Sequence, residues 1–150
     1  MRDAQSNHRH ILIVDDEPLV RNSLSEFLAL NGYAVSSAGN GKEALHLLKG
    51  DAADIVITDI KMPEMDGIQL LKKIKTSYPK IPVILITGYG SIESAVEAMK
   101  EGAYDYVTKP IVDSEIKIVI ERLVNQIQLM EENIKLKKEI STVQMERFHN

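Results

Sequence analysis

No cysteine occurs in the 150-residue sequence, which excludes disulfides, thiol catalysis and cysteine-ligated metals. A basic excess is also missing. The net charge of -4 runs against the basic face that general nucleic-acid binding requires, so this segment is expected not to contact nucleic acid directly. No apolar run approaches bilayer-spanning length, and the opening MRDAQSNHRH lacks the apolar core of a signal peptide. A protein without membrane attachment and with a cytoplasmic address is the expectation. Glycine and proline are absent after Pro110, so nothing obvious stops a helix in the last third of the chain. What remains is 44% hydrophobic and 27% charged, the balance of one globular domain with little left for a second.

Five short apolar runs recur, each followed by a helical pattern: HILIVD (10–15), YAVSSA (33–38), DIVITD (54–59), VILIT (83–87) and YDYV (104–107). The first, third and fourth are nearly continuous in β-branched residues and leucine, as parallel strands covered on both faces require. Val20, Leu24, Phe27 and Leu28 repeat at helical spacing, with Pro18 near the start and Asn31-Gly32 as the stop. Ile92, Ala95, Val96 and Met99 do the same behind a candidate N-cap at Ser91. This alternation predicts a doubly wound α/β domain, with right-handed crossovers placing helices on both faces of a parallel sheet.

Ligands of such sheets bind beyond the carboxyl ends of the strands. Asp15 and Asp16 end the first strand, Asp59 the third and Thr87 the fourth, while Lys109 follows the fifth. All five are therefore expected at one edge. Crowded carboxylates repel: two unit charges ~5 Å apart cost roughly 3 kcal/mol at an effective dielectric constant near 20. A hard divalent cation is the natural counter-charge, and Mg2+ prefers one or two carboxylates, waters and a phosphate oxygen. A carboxylate can also act as nucleophile and form an aspartyl-phosphate. Phosphoryl transfer needs neutralised equatorial oxygens more than a strong base, which suits the Thr87 hydroxyl and the Lys109 ammonium. Asp16, ahead of Glu17-Pro18, is also expected to cap the first helix.

VDDEP, DIVITDIKMPEMDG, VILITGYG and YDYVTKP, in this order, resemble the receiver domain of two-component response regulators over roughly residues 9 to 125. The resemblance implies a flavodoxin-like five-stranded sheet of order 2-1-3-4-5. It makes Asp59 the phosphoacceptor, and Asp15, Asp16, Asp59 and the backbone carbonyl of Lys61 the Mg2+ ligands. Thr87 would bond the phosphoryl oxygen, Lys109 would pair with it, and Tyr106 would change rotamer on activation. A cis Lys109-Pro110 peptide is implied too. TGYGSIESAVEAMKEGAYDYVTKP further resembles receivers of the nitrogen-regulator class, which precede an AAA+ ATPase acting on sigma-54 RNA polymerase. The partners so implied are a sensor histidine kinase and a C-terminal effector with ATPase and DNA-binding parts. Gly88, after the threonine, leaves space beside the acceptor. Such a domain catalyses only its own phosphorylation and dephosphorylation and is not an enzyme acting on a free metabolite.

Residues 1–8 read as a polar tail, 9–125 as the receiver and 126–150 as a helical linker. Ile116, Ile120, Leu123, Ile127, Met130 and Ile134 alternate by four and three, the seam of a coiled coil. After Ile134 the phase shifts to Leu136, Ile140 and Val143. The expectation is a last helix prolonged into a homodimerising linker, in a piece of a longer regulator. The same face could instead cover another domain. His8 and His10 read as a solvated tail end, and His46 and His149 as surface residues. Two other function classes compete. A flavodoxin-like nucleotide binder wants a Ser/Thr/Gly-rich phosphate loop after the first strand, where DDEP would repel phosphate. A phosphatase with an aspartyl nucleophile commonly carries two aspartates two apart on one strand, whereas here they come from strands 1 and 3. A receiver joined to a different output domain also stays open.

Overall fold

The computed structural model describes residues 9–50, 53–88 and 92–148. The strands are β1 (His10–Val14), β2 (Ala34–Ala38), β3 (Ile55–Asp59), β4 (Val83–Thr87) and β5 (Asp105–Thr108). They alternate with α1 (Pro18–Leu30), α2 (Gly41–Gly50), α3 (Gly67–Ser77), α4 (Ile92–Lys100) and α5 (Asp113–Phe148). All strand pairs are parallel, in the order β2-β1-β3-β4-β5. The expected doubly wound fold and strand order are present. The chain separates into two compact units, one ending at Val112 and one formed by α5.

β3 and β4 are buried at every position, as their unbroken apolar runs require, and β1 at every position but the first. The edge strands β2 and β5 are only partly covered. Reversal of the winding direction at β1 puts α1 on one face and α2, α3 and α4 on the other. On the second face Leu12, Val14, Val56, Val83 and Leu85 pack with Ala44, Leu48, Leu70, Leu71, Ile74 and Ala98. α1 begins at Pro18 and is capped at its C-terminus by Asn31, with Gly32 at φ 93°, a left-handed turn suited to glycine. Its N-cap residue is Glu17, which makes no side-chain cap hydrogen bond, so the capping role expected of Asp16 is not found. α3 is capped by the Asp66 carboxylate, which accepts from the Gln69 amide at 2.8 Å.

One other expectation needs correction. His10 is no tail residue: it opens β1, with Nε2 2.6 Å from Ser36 Oγ. On α4 the buried positions are Ala95 and Ala98, whereas Ile92, Val96 and Met99 are exposed. Two alanines let that helix lie close to the sheet, and the larger side chains of the stripe fall to its flank. On α5, Ile116, Ile120 and Leu123 are already buried in the single chain, Ile127 is half-buried, and Met130 and Ile134 are exposed. The exposed part of the stripe begins beyond the first three. α5 itself is unbroken over 36 residues, about 54 Å of helix. His46 is exposed, while His8, His149, the tail 1–8 and the proposed N-cap Ser91 lie outside the described residues.

Candidate functional site

The carboxyl ends of β1, β3 and β4 and the segment after β5 meet at one edge. Asp15 follows β1 with its backbone fixed twice: its amide donates to Ala38 O at 3.1 Å, and Arg21 Nη1 donates to its carbonyl at 2.7 Å. Its Oδ1 accepts the Glu17 amide at 2.9 Å. Its Oδ2 is buried and has no hydrogen-bond partner, lying 3.4 Å from Lys109 Nζ. Asp59 closes β3, 4% exposed; its Oδ1 accepts the Lys61 amide at 3.3 Å and its Oδ2 accepts Lys109 Nζ at 2.9 Å. Lys109 is placed by its amide, which donates to Thr87 O at 2.7 Å, and it precedes Pro110 through the cis peptide that the motif implied. Thr87 is buried at the end of β4.

The oxygens of Asp15, Glu17 and Asp59 lie within 4.8 Å of one another. Lys109 Nζ stands among them and also donates to Glu17 Oε1 at 2.9 Å. Burial raises the Asp15 pKa above the ordinary carboxylate value; the Asp59 charge adds to this, against the Glu17 amide and Lys109. For Lys109, burial opposes the charge, but the bonds to Glu17 and Asp59 and the charges of Asp59 and Asp15 outweigh it and push its pKa up. It is therefore a fixed cation. One ammonium among three carboxylates leaves the pocket with an excess of negative charge. An all-oxygen donor set with a buried, unpartnered carboxylate oxygen fits a hard divalent cation.

Of the site residues read from the sequence, Asp15, Asp59, Thr87 and Lys109 are brought together at this edge. Asp16 is exposed, and its carboxylate is not among the three that converge. Lys61 follows β3 with an exposed side chain. Tyr106 on β5 is 42% exposed and lines an open groove of about 350 Å³ with Ile92, Val96 and Met99. Among the described residues, a Cβ on Gly88 would meet nothing within 4 Å. Sequence reasoning missed three contributors. Glu17 was named only as part of an acidic run, yet its carboxylate holds Lys109. Arg21 carries no local signal for its bond to Asp15. Gly67 sits so close beneath Asp59 that a Cβ there would be 2.2 Å from Asp59 O; the Asp-Gly pair opening α3 is its one visible sign in the sequence.

Residues 11–121 match the response regulator receiver domain family. The regulatory protein AtoC of Escherichia coli is 46% identical over 125 residues, covering 83% of this chain and 27% of that protein. The C4-dicarboxylate transport transcriptional regulatory protein DctD of Rhizobium meliloti is 39% identical over 128 residues, 85% of this chain and 28% of that protein. Among solved structures, NtrX from Brucella abortus superposes with a TM-score of 0.81 at 34% identity, covering 86% of this chain and 29% of that one. These relatives fall in the nitrogen-regulator class that the motifs resemble. The chain spans less than a third of their length.

Proposed function

Because the chain belongs to the response regulator receiver domain family, we propose that it is a phosphorylation-controlled signalling switch in which Asp59 takes a phosphoryl group from a sensor histidine kinase. The observation that carries this reading is the buried Asp59 carboxylate with the Lys109 ammonium 2.9 Å from its Oδ2. A carboxylate oxygen of Asp59 attacks phosphorus, an O–P bond forms, and the P–N bond of the phosphohistidine breaks. The electron pair stays on the imidazole, which takes up a proton. Lys109 and the Thr87 hydroxyl then face the new phosphoryl oxygens, and burial of the acceptor limits access of water. Asp15, Asp16, Asp59 and the Lys61 backbone carbonyl would hold Mg2+, which when bound supplies positive charge to those oxygens. The protein turns over no free metabolite.

Added charge beside Thr87 and Lys109 biases an equilibrium between two conformations. The readout face would be α4, β5 and α5, with Thr87 and Tyr106 as the switch. Residues 9–125 then act as the receiver and 126–150 as a dimerising linker. Support for pairing comes from Met130, Ile134, Leu136, Ile140 and Val143, all at least half exposed on one long helix. Partners in a longer regulator would be an AAA+ ATPase and a DNA-binding part acting with sigma-54 polymerase in the cytoplasm. Among the described residues, no helix is long and apolar enough to cross a membrane.

The test is intact mass after incubation with acetyl phosphate, with and without Mg2+, beside Asp59→Asn. A metal-dependent gain of one phosphoryl group, absent in the variant, is expected. No gain in the wild type under either condition refutes the reading. For the linker, sedimentation with and without beryllofluoride is expected to differ, and identical profiles count against phosphorylation-coupled pairing.

A further inference from the structure

We propose that Glu17 is a positioning residue that contests Lys109 with the phosphoryl group and so restrains phosphorylation of Asp59; this rests on the phosphoacceptor reading above. Lys109 Nζ lies 2.9 Å from Glu17 Oε1, 2.9 Å from Asp59 Oδ2 and 3.4 Å from Asp15 Oδ2. An ammonium has three protons: two are bonded to Glu17 and Asp59, and the third direction is faced by the buried Asp15 Oδ2 as an ion pair. A phosphoryl group on Asp59 brings new oxygens that need the same cation. One of the three partners must yield.

The two aspartates cannot move easily. Asp15 is fully buried and held through its amide, its carbonyl and its Oδ1, and Asp59 closes a central strand. Glu17 differs. Its side chain is 60% exposed, so its carboxylate can swing into water. It stands at the N-cap of α1 yet makes no cap bond, so the helix does not need that carboxylate. A second effect has the same sign. The Glu17 oxygen lies within 4.8 Å of the Asp59 carboxylate and repels any anion that arrives there. Removing the charge of Glu17 therefore helps twice: it frees Lys109 and lowers the repulsion.

The test compares acetyl phosphate labelling of wild type, Glu17→Gln and Glu17→Asp at saturating Mg2+, followed by intact mass at low and high salt. Glu17→Gln keeps the shape without the charge and is expected to label about two- to fivefold faster, the range for an exposed charge. Glu17→Asp keeps the charge on a shorter stem and should fall between. Salt should pull the Glu17→Gln to wild-type ratio towards one, since it screens an exposed carboxylate. A packing effect would ignore salt. A readout without metal or phosphoryl donor is the side-chain ammonium resonance of Lys109 in EDTA, expected to shift in Glu17→Gln. The role of Glu17 is overturned if Glu17→Gln labels no faster than a labelled wild type, if its advantage is indifferent to salt, or if the Lys109 resonance does not move. A wild type that takes no phosphoryl group overturns the phosphoacceptor reading and this inference together.

Discussion

Gly67→Ala tests whether the shape of the support under Asp59, the proposed acceptor, matters as much as the charges around it. Gly67 opens α3, and its amide donates to Ile60 O at 2.7 Å, closing the β3–α3 loop onto the strand that carries Asp59. An added methyl would stand 2.2 Å from Asp59 O, 2.7 Å from Ile60 Cα and 2.9 Å from Asp59 C. Roughly 1 Å must open before ordinary contact is restored. The atoms in the way are backbone of a central strand, so no side-chain rotation relieves the clash. Either α3 retreats and stretches the bond to Ile60, or the end of β3 shifts and takes Asp59 with it. Overpacking costs about 1–3 kcal/mol and a weakened hydrogen bond about 1 more, so a loss of ~2–4 kcal/mol is expected. For a chain of this size that lowers the midpoint by about 10 °C.

Urea unfolding followed by far-UV circular dichroism measures the loss, and acetyl phosphate labelling measures the shift of the acceptor. Misplacing a reacting group by about 1 Å can cost on the order of a hundredfold in rate, so labelling of folded Gly67→Ala should slow by more than tenfold. Gly41→Ala is the control. The three atoms nearest its new Cβ all belong to the Met65 side chain, the closest being Sδ at 2.5 Å, and a flexible thioether can turn away. That variant should stay within about 1 kcal/mol of wild type. A Gly67→Ala protein as stable and as readily labelled as wild type would refute the close-support argument.

Three further outcomes follow from the same geometry. Burial, and after it the Asp59 charge, raise the Asp15 pKa above its ordinary 3.8, so the folded metal-free protein holds that proton more tightly than the unfolded chain. Its stabilising contribution is full below that pH and lost as pH rises through the folded pKa; Asp15→Asn in EDTA should therefore be more stable than wild type at pH 7, with the advantage shrinking towards pH 4 in thermal melts. Lys109→Gln leaves the Asp15 and Asp59 charges without their cation, so metal-free stability should fall by about 2–4 kcal/mol, while Mg2+ should raise its melting temperature more than it raises that of wild type. Glu64 holds φ 66°, a left-handed conformation costly to a residue with a Cβ, so Glu64→Gly should gain about 0.5–1 kcal/mol in urea unfolding, and a loss would show that the Glu64 side chain contributes something the backbone argument omits.

Strand ends were the most legible part of this chain. Once the β–α alternation is read, parallel winding leaves Asp15, Asp59, Thr87 and Lys109 no edge but one, and their identities then narrow the chemistry. Helix faces were less legible. The stripe Ile92, Ala95, Val96, Met99 marks an amphipathic α4, but periodicity cannot say which flank of a wide apolar arc meets the sheet; the small size of Ala95 and Ala98 decided that, through how closely the helix could approach. The seam on α5 is ambiguous for a related reason. A repeat of four and three marks any helix with one covered face, so it could not separate Ile116, Ile120 and Leu123, buried within the chain, from Met130 and Ile134, left open.

Glu17 marks the limit of reading charge from spacing. In DDEP the sequence gives three carboxylates no ranking, and the family resemblance singles out the first two. The backbone gives the third a role of its own. With Glu17 at the N-cap, extended at φ -92° and ψ 114°, its amide turns back to Asp15 Oδ1 and its carboxylate reaches Lys109, while Asp16 between them is exposed. The resting pocket thus satisfies its cation with the one carboxylate that can leave without unburying anything. Asp15 Oδ2 meanwhile stays unpartnered and costly. That arrangement leaves the site unsatisfied where a metal would bind and, on the proposed reading, loose where a phosphoryl group would compete for Lys109.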